Sequence, residues 1–548
     1  MMIKQQFNPA MAITSISLAS MLMMSSPLLQ AGERESLEQL RSTTLNLIDM
    51  LVSEGVLSKS KADILKKDAE AARLASAEKD ALEKAEKQAE KGEPINEVAA
   101  KTVRVQYVPD FIKKEMREEV KKELMTKLNY KAGERLGMPD WIDRIEWTGD
   151  VRLRFERDAF AEGNASPLNF TANENRNAAV TNTSEDRDRM RLRARLGANI
   201  KINDWLSSGI RMTTGSNVDP VSPNQTMESV DSKFSFALDR VFLKAKLGRR
   251  LSATGGRMEN PFFGTDLVWD PDLAFDGVFA KYTPELSDTV SAFVTGGVFP
   301  IDEIQSSDTN KAKSKWLVGG QAGIQWKTSQ VSSKFAVGLY DFQNVEGTLN
   351  TVNATDYRDT APAFRQKGNR TFSINSSYVR SLSPSDNKAC AYGGPCGLAS
   401  KFQQLNVTGQ VELLTFNPVH IILTGDYVKN IGFDSNDFAN KTGLALGSFK
   451  KENQGYQVKL SVGTAKVTNA NDWEVFGAYK HLEADAVLDA FTDSDFRLGG
   501  TDAKGWILGA SYGIDKNAWV SGRWLSADQI SGLPLGIDVL MFDLNAKF

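Results

Sequence analysis

Residues 315–327 read KWLVGGQAGIQWK. Trp316, Val318, Gly320, Ala322, Ile324 and Trp326 fall on one side of an extended chain and the intervening residues on the other, because side chains alternate faces along a strand. From Trp316 to Trp326, at about 3.3 Å per residue and a tilt of about 40°, the chain rises roughly 25 Å along a barrel axis, the height of the apolar band between the aromatic girdles of a membrane barrel. Strands of soluble proteins average about five or six residues. Trp316 and Trp326 are therefore candidate girdle residues, facing lipid.

The same alternation recurs elsewhere. In RMRLRARLGANIK (189–201), Met190, Leu192, Ala194, Leu196, Ala198 and Ile200 oppose Arg189, Arg191, Arg193, Arg195, Asn199 and Lys201. In 147–156, Trp147, Gly149, Val151, Leu153 and Phe155 alternate with Thr148, Asp150, Arg152, Arg154 and Glu156. Candidate strands lie near 145–158, 188–203, 205–215, 236–248, 250–259, 273–284, 289–300, 315–328, 331–342, 402–414, 419–428, 454–466, 472–481, 504–514, 518–526 and 537–548. Long connections alternate with short ones such as NDW, GRR, TSQ, FNP and DKN, as extracellular loops alternate with periplasmic turns. The fold expected is an all-β, antiparallel transmembrane barrel of 16 strands over 141–548. The faces of the sixth and seventh strands do not separate by polarity. Residues 370–382 are assigned to a long outer loop, with 18 strands as the alternative. The last strand carries Leu540, Phe542, Leu544, Ala546 and Phe548 on one face, and its terminal aromatic resembles the signal that outer-membrane barrels present to their assembly machinery.

Composition agrees once it is read by face. The 548 residues are 41% hydrophobic and 25% charged, an average of a lipid-facing half and a wet half. Two His and two Cys provide no cluster for a metal centre, no GxSxG or Ser/His/Asp arrangement can be placed, and no cofactor or enzymatic activity is expected. A net charge of −3 lacks the basic excess of a nucleic-acid-binding surface. Cys390 and Cys396 lie in a long outer loop of an exported chain and are read as a disulfide.

Export is inferred from residues 1–31, where Lys4 precedes a mostly apolar, uncharged run from Met11 to Leu29, as in a signal peptide cleaved after Ala31. Residues 32–140 have helical periodicity. Leu37, Leu40, Thr44, Leu47 and Leu51 form a seam of about two heptads, and Ile112, Met116, Val120, Leu124 and Leu128 recur every four residues. This α-helical periplasmic leader is read either as a coiled coil that trimerises the subunits or as a helical hairpin, with peptidoglycan or a periplasmic protein as its partner.

A 16-strand barrel is too wide for wall side chains to fill and leaves an aqueous channel. Parity points Arg152, Arg154, Arg189, Arg191, Arg193, Arg195, Arg211, Arg240, Lys244 and Lys246 into it as pore-lining basic residues. Ten like charges call for facing carboxylates.

Three stretches, VRVQYVPDFIKKEMREEVKKEL (103–124), MPDWIDRIEWTGDVRLRFE (138–156) and GGRMENPFFGTDLVWDPDLAFDGV (255–278), resemble the bacterial outer-membrane "putative porin" family, in which a helical leader precedes a channel-forming barrel. The resemblance implies a porin without naming its solute. In general diffusion porins the loop between strands five and six folds inward as the constriction. Here that loop holds ENPFFGTDLVWDPDL (259–273), so Glu259, Asp266, Asp270 and Asp272 are the acids expected to face the arginines. The leading expectation is a trimeric, water-filled channel of the bacterial outer membrane for passive diffusion of small hydrophilic solutes and ions. The alternatives are a substrate-specific channel for sugars or anions, with Phe262, Phe263 and Trp269 as an aromatic slide for sugars, and an envelope tether acting through the leader.

Overall fold

The computed structural model describes residues 141–548 except 168, 171–179, 228–229, 308–311, 351–357 and 375–395. The leader and signal segments, like Cys390, lie outside the described residues. The barrel strands are β1 (Ile145–Phe160), β2 (Arg187–Lys201), β3 (Leu206–Thr214), β4 (Phe236–Leu247), β5 (Leu251–Glu259), β6 (Ala274–Tyr282), β7 (Val290–Asp302), β8 (Lys315–Lys327), β9 (Val331–Gln343), β10 (Phe402–Leu413), β11 (His420–Asn430), β12 (Gln454–Gly463), β13 (Trp473–Leu482), β14 (Ala503–Asp515), β15 (Ala518–Gln529) and β16 (Gly536–Lys547). Each lies within three residues of its predicted bounds.

All neighbours pair antiparallel, and β1 pairs both with β2 and with β16, which closes the ring. Closure leaves no strand edge to be satisfied by lipid, which offers no hydrogen bonds. A two-residue piece, Gln225–Thr226, adds to β2 from the loop after β3. Thr371–Ser373 pairs with Cys396–Leu398 in a separate ribbon. Thr371–Ser373, the described strand of the segment that raised the 18-strand alternative, therefore lies outside the barrel, and 16 strands form the ring among the described residues. Cys396 is disulfide-bonded.

Parity is obeyed around the wall. Val151, Leu153, Phe155, Val294, Val318, Ile324, Leu423, Leu460, Leu508 and Leu544 are exposed on the outside, and Trp316 and Trp326 stand at opposite ends of the outer face of β8. The seam is sealed by the chain end: Gly149 and Phe548 exchange backbone hydrogen bonds of 2.9 and 3.0 Å. The Phe548 ring covers Gly149, where a Cβ would lie 2.2 Å from it.

Inside, the barrel is not uniformly wet. On β6 to β9 the inward residues include Phe275, Phe299, Leu317, Tyr340 and Phe342, all buried in an apolar cluster with the loop that follows β5. This is why β6 and β7 could not be given a polar face from sequence: their inward faces mix phenylalanines, several of them packed with the loop, with only a few polar groups. The loop's roots are bent by two glycines paired across β5 and β6, Gly256 and Gly277, with φ of 123° and 140°. At either position a Cβ would lie 2.3 Å from a neighbouring backbone oxygen, of Val241 and Val298 respectively. Gly277→Ala is expected to destabilise the barrel by about 1–3 kcal/mol, the usual cost of one forced backbone conformation, read as a lower midpoint in urea unfolding from lipid vesicles.

Candidate functional site

The basic wall is built by register. Across β1 and β2, Arg152 lies opposite Arg193 and Arg154 opposite Arg191. Like charges placed directly opposite each other repel, so carboxylates must interleave. Asp150 accepts from Arg193 Nε at 3.0 Å and Arg195 Nε at 2.7 Å. Glu156 takes Arg191 at 3.2 Å and a short contact from Arg189, which also reaches Asp158 at 2.9 Å. Arg154 grips Asp543 of β16 with two bonds, 2.7 and 3.0 Å, and meets Asp495 at 3.2 Å. Arg211 pairs with Asp239, Arg240 with Glu259 at 2.9 Å, and Arg152 donates to Asn224. Lys244 and Lys246 are exposed towards the short-turn end of β4.

Two corrections follow. Arg154 is only 2% exposed, a buried strut of the wall and not a pore-lining group. And the ladder is balanced chiefly by Asp150, Glu156, Asp158 and Asp543, which sit on the same inner face, more than by the inward loop.

That loop, residues 260–273, does cross the lumen. Phe262 and Trp269 pack on Tyr340 at centroid distances of 4.8 and 5.0 Å, and both are buried. They cannot serve as a sugar slide. Gln321 of β8 fixes the backbone of Phe263 through bonds of 2.8 and 2.6 Å. On the far side Thr265 donates to Asp426 of β11 from its amide and hydroxyl, at 3.1 and 2.6 Å. Of the four predicted acids, Asp272 alone crosses to the ladder from within this loop, at 2.9 Å from Arg195 and 3.6 Å from Arg193. Glu259 ends β5 and holds Arg240. Asp266 turns to the opposite wall, accepting from Gln457 at 2.7 Å and meeting Lys480 at 3.3 Å. Asp270 is buried, accepting from the amides of Asp272 and Ser494 at 2.8 and 3.0 Å. Burial and the neighbouring acids Asp272 and Asp493 push its carboxyl well above the usual carboxylate range, and its hydrogen bonds go to the backbone of the two inward loops.

Sequence reading missed the loop between β13 and β14, residues 483–502, which also enters the barrel. Asp493 binds Lys480 at 2.7 Å and Asp495 binds Arg523 at 2.7 Å. Asp485 is locked to Arg370 of the long fifth loop at 2.7 Å. The available signal was the mixture ADAVLDAFTDSDF (484–496), whose valine, leucine and phenylalanines suit burial better than a solvated loop.

Between wall and loops two cavities meet. One, of about 510 Å³, is lined by Arg152, Arg193, Arg195, Asp272, Asp495 and Arg523 among others. The second, of about 610 Å³, opens towards the long loops. Arg211 and Asp272 line both.

A family model described as "Putative porin" matches residues 41–548. No curated protein sequence matches the chain. Among solved structures, the chain is similar to OprB of Pseudomonas putida at high pH, with 12% identity over 75% of this chain and 96% of that one and a TM-score of 0.44. It is also similar to Salmonella typhi OmpF in complex with daunomycin (12% identity, 74% and 97% covered, TM-score 0.37) and to the outer membrane channel DcaP of Acinetobacter baumannii (10%, 74% and 97%, 0.36).

Arg154→Ala strands Asp543 without its bidentate partner and is expected to cost about 3–5 kcal/mol of stability, as when one member of a buried pair is removed. Tryptophan fluorescence during urea unfolding in vesicles measures it.

Proposed function

The chain belongs to the "putative porin" family, and from that premise we propose that small hydrophilic solutes and ions diffuse passively along its basic wall, past Arg211 and Asp272. It is an outer-membrane porin, and family and barrel support a channel. The observation that carries the proposed route is that these two residues line both cavities.

The chemistry of the route follows from its walls. Arg193, Arg195 and Arg211 stand on one side, with Asp272 and Asp495 on loops facing them. Opposed charges impose a transverse field that orients dipolar solutes and holds ordered water, so an apolar solute must displace water that is held firmly. A sugar-selective reading loses its support, since Phe262 and Trp269 are spent on packing the loop.

We extend the proposal to the rest of the chain: residues 1–31 as export signal, 32–140 as a helical periplasmic region reaching peptidoglycan or a protein partner, and a homotrimer as the working assembly. The heptad-like seam at Leu37–Leu51 supports the leader's part. Terminal Phe548, closing the seam on Gly149, supports its role as the group offered to the assembly machinery.

Purified protein in planar bilayers is expected to conduct in potassium chloride. Arg193→Glu together with Arg195→Glu should shift the reversal potential in a salt gradient towards cation preference; an unchanged potential would remove these residues from the conducting path. Native mass measurement should give three chains per particle for the full mature chain and fewer without residues 32–108 if the leader trimerises it.

A further inference from the structure

Many cations of the wall and upper lumen are matched by carboxylates, as Arg154, Arg195, Lys480 and Arg523 illustrate. A different arrangement lies on the other side of the inward loop, towards the short turns. There Lys281 of β6 and Lys334 of β9 both point into the lumen, half-buried, and converge on one ring: their Nζ atoms lie 5.6 and 4.9 Å from the centroid of Phe293 on β7. Lys334 also stands 4.0 Å over Phe263, the residue that Gln321 fixes at the start of the inward loop. Among the described residues, neither ammonium has a carboxylate within ion-pair reach.

The surroundings are donors. Thr295 lies opposite Lys281 in register, is 1% exposed, and its hydroxyl has no hydrogen-bond partner. Gln325 lies opposite Lys334, and Ser291 opposite Gln325. Two ammonium groups gathered around one phenyl ring repel each other, and the ring offsets only part of that cost. A buried hydroxyl without a partner adds a further penalty. Both are relieved by the same occupant.

We propose that Lys281, Lys334 and Thr295 form a binding site for an oxyanion, the carboxylate or phosphate group of a permeating solute, on the short-turn side of the inward loop. The site takes one anion between the two ammonium groups, with the Thr295 hydroxyl donating to it; charge-assisted bonds of this type are the stronger class. It rests on the channel reading only in supposing that solutes reach it through the lumen. Because Lys334 contacts Phe263, an anion bound here also draws on the group that packs the loop's first turn.

Two measurements keep the site and the channel separable. Calorimetric titration of the folded protein in detergent with inorganic phosphate, and separately with acetate, reads the site whether or not the barrel conducts. Binding of either anion is expected, weakened at least about tenfold, or roughly 1.4 kcal/mol, in Lys281→Gln/Lys334→Gln and less in Thr295→Val. Phosphate alone binding points to phosphorylated solutes, and both anions binding to carboxylates as well. In bilayers the same anions, added from the short-turn side, should reduce potassium chloride current in the wild type and not in the double variant. Lys516→Gln, in the β14–β15 turn, is the control for charge alone, and heat-modifiable gel mobility confirms that every variant is folded. No binding to the wild type, or equal binding to the double variant, overturns the site. Binding without any conductance would leave the site standing and overturn the channel.

Discussion

The structure depends on one constraint: within hydrocarbon, every peptide N–H and C=O must find its partner in the protein. Sixteen strands satisfy it only as a ring, and the ring closes where β1 meets β16 over eleven paired positions from Asp150–Lys547 to Phe160–Ile537. Its circumference then leaves an interior that wall side chains cannot fill. What occupies that interior is decided by loops. The 260–273 loop, the 483–502 loop and parts of the long fifth loop are drawn inward, packing an apolar cluster against β6 to β9 and leaving charged space against β1 to β4.

The two sides contribute differently. Burying Phe262, Leu267 and Trp269 stabilises the loop by about 1.5–3 kcal/mol for each large apolar side chain. Solvated ion pairs such as Arg240–Glu259, whose carboxylate is largely exposed, contribute about 0–1 kcal/mol. The aromatic side therefore sets where the loop lies, and Asp272 sets what faces the arginines once it is there. Gln321, Asp426 and Lys480 hold its first half at β8, β11 and β13, and Asp272 near its end meets Arg195 of β2, so the loop is a strut across the barrel.

Much of this was legible in sequence because a membrane strand writes its two environments into alternate residues. The sixteen strands, their alternating connections, the outward tryptophans on β8 and the inward arginines of β2 all follow from period two. It fails where one face meets something other than water. Phe275, Phe279, Phe293 and Phe299 point inward on β6 and β7, and only knowledge that a loop packs there explains them. Charge pairing was readable in part: Asp150 and Glu156 alternate in step with Arg152 and Arg154, yet an acidic loop was the more conspicuous candidate. The 483–502 loop was illegible because its partners, Arg154, Arg370 and Arg523, lie far away in sequence and carry no period.

The pairing of β1 with β2 has a consequence for how such a barrel reaches its membrane. Guanidinium groups are costly to bring into hydrocarbon, at about 2–4 kcal/mol each at the midplane when they face lipid. Asp150, Glu156 and Asp158 are separated from Arg189, Arg191, Arg193 and Arg195 by one loop only. The most basic part of the wall is thus a hairpin that carries its own counter-charges. It can enter the bilayer as neighbouring ion pairs, before the lumen exists to hydrate it and before any later strand or loop arrives to neutralise it.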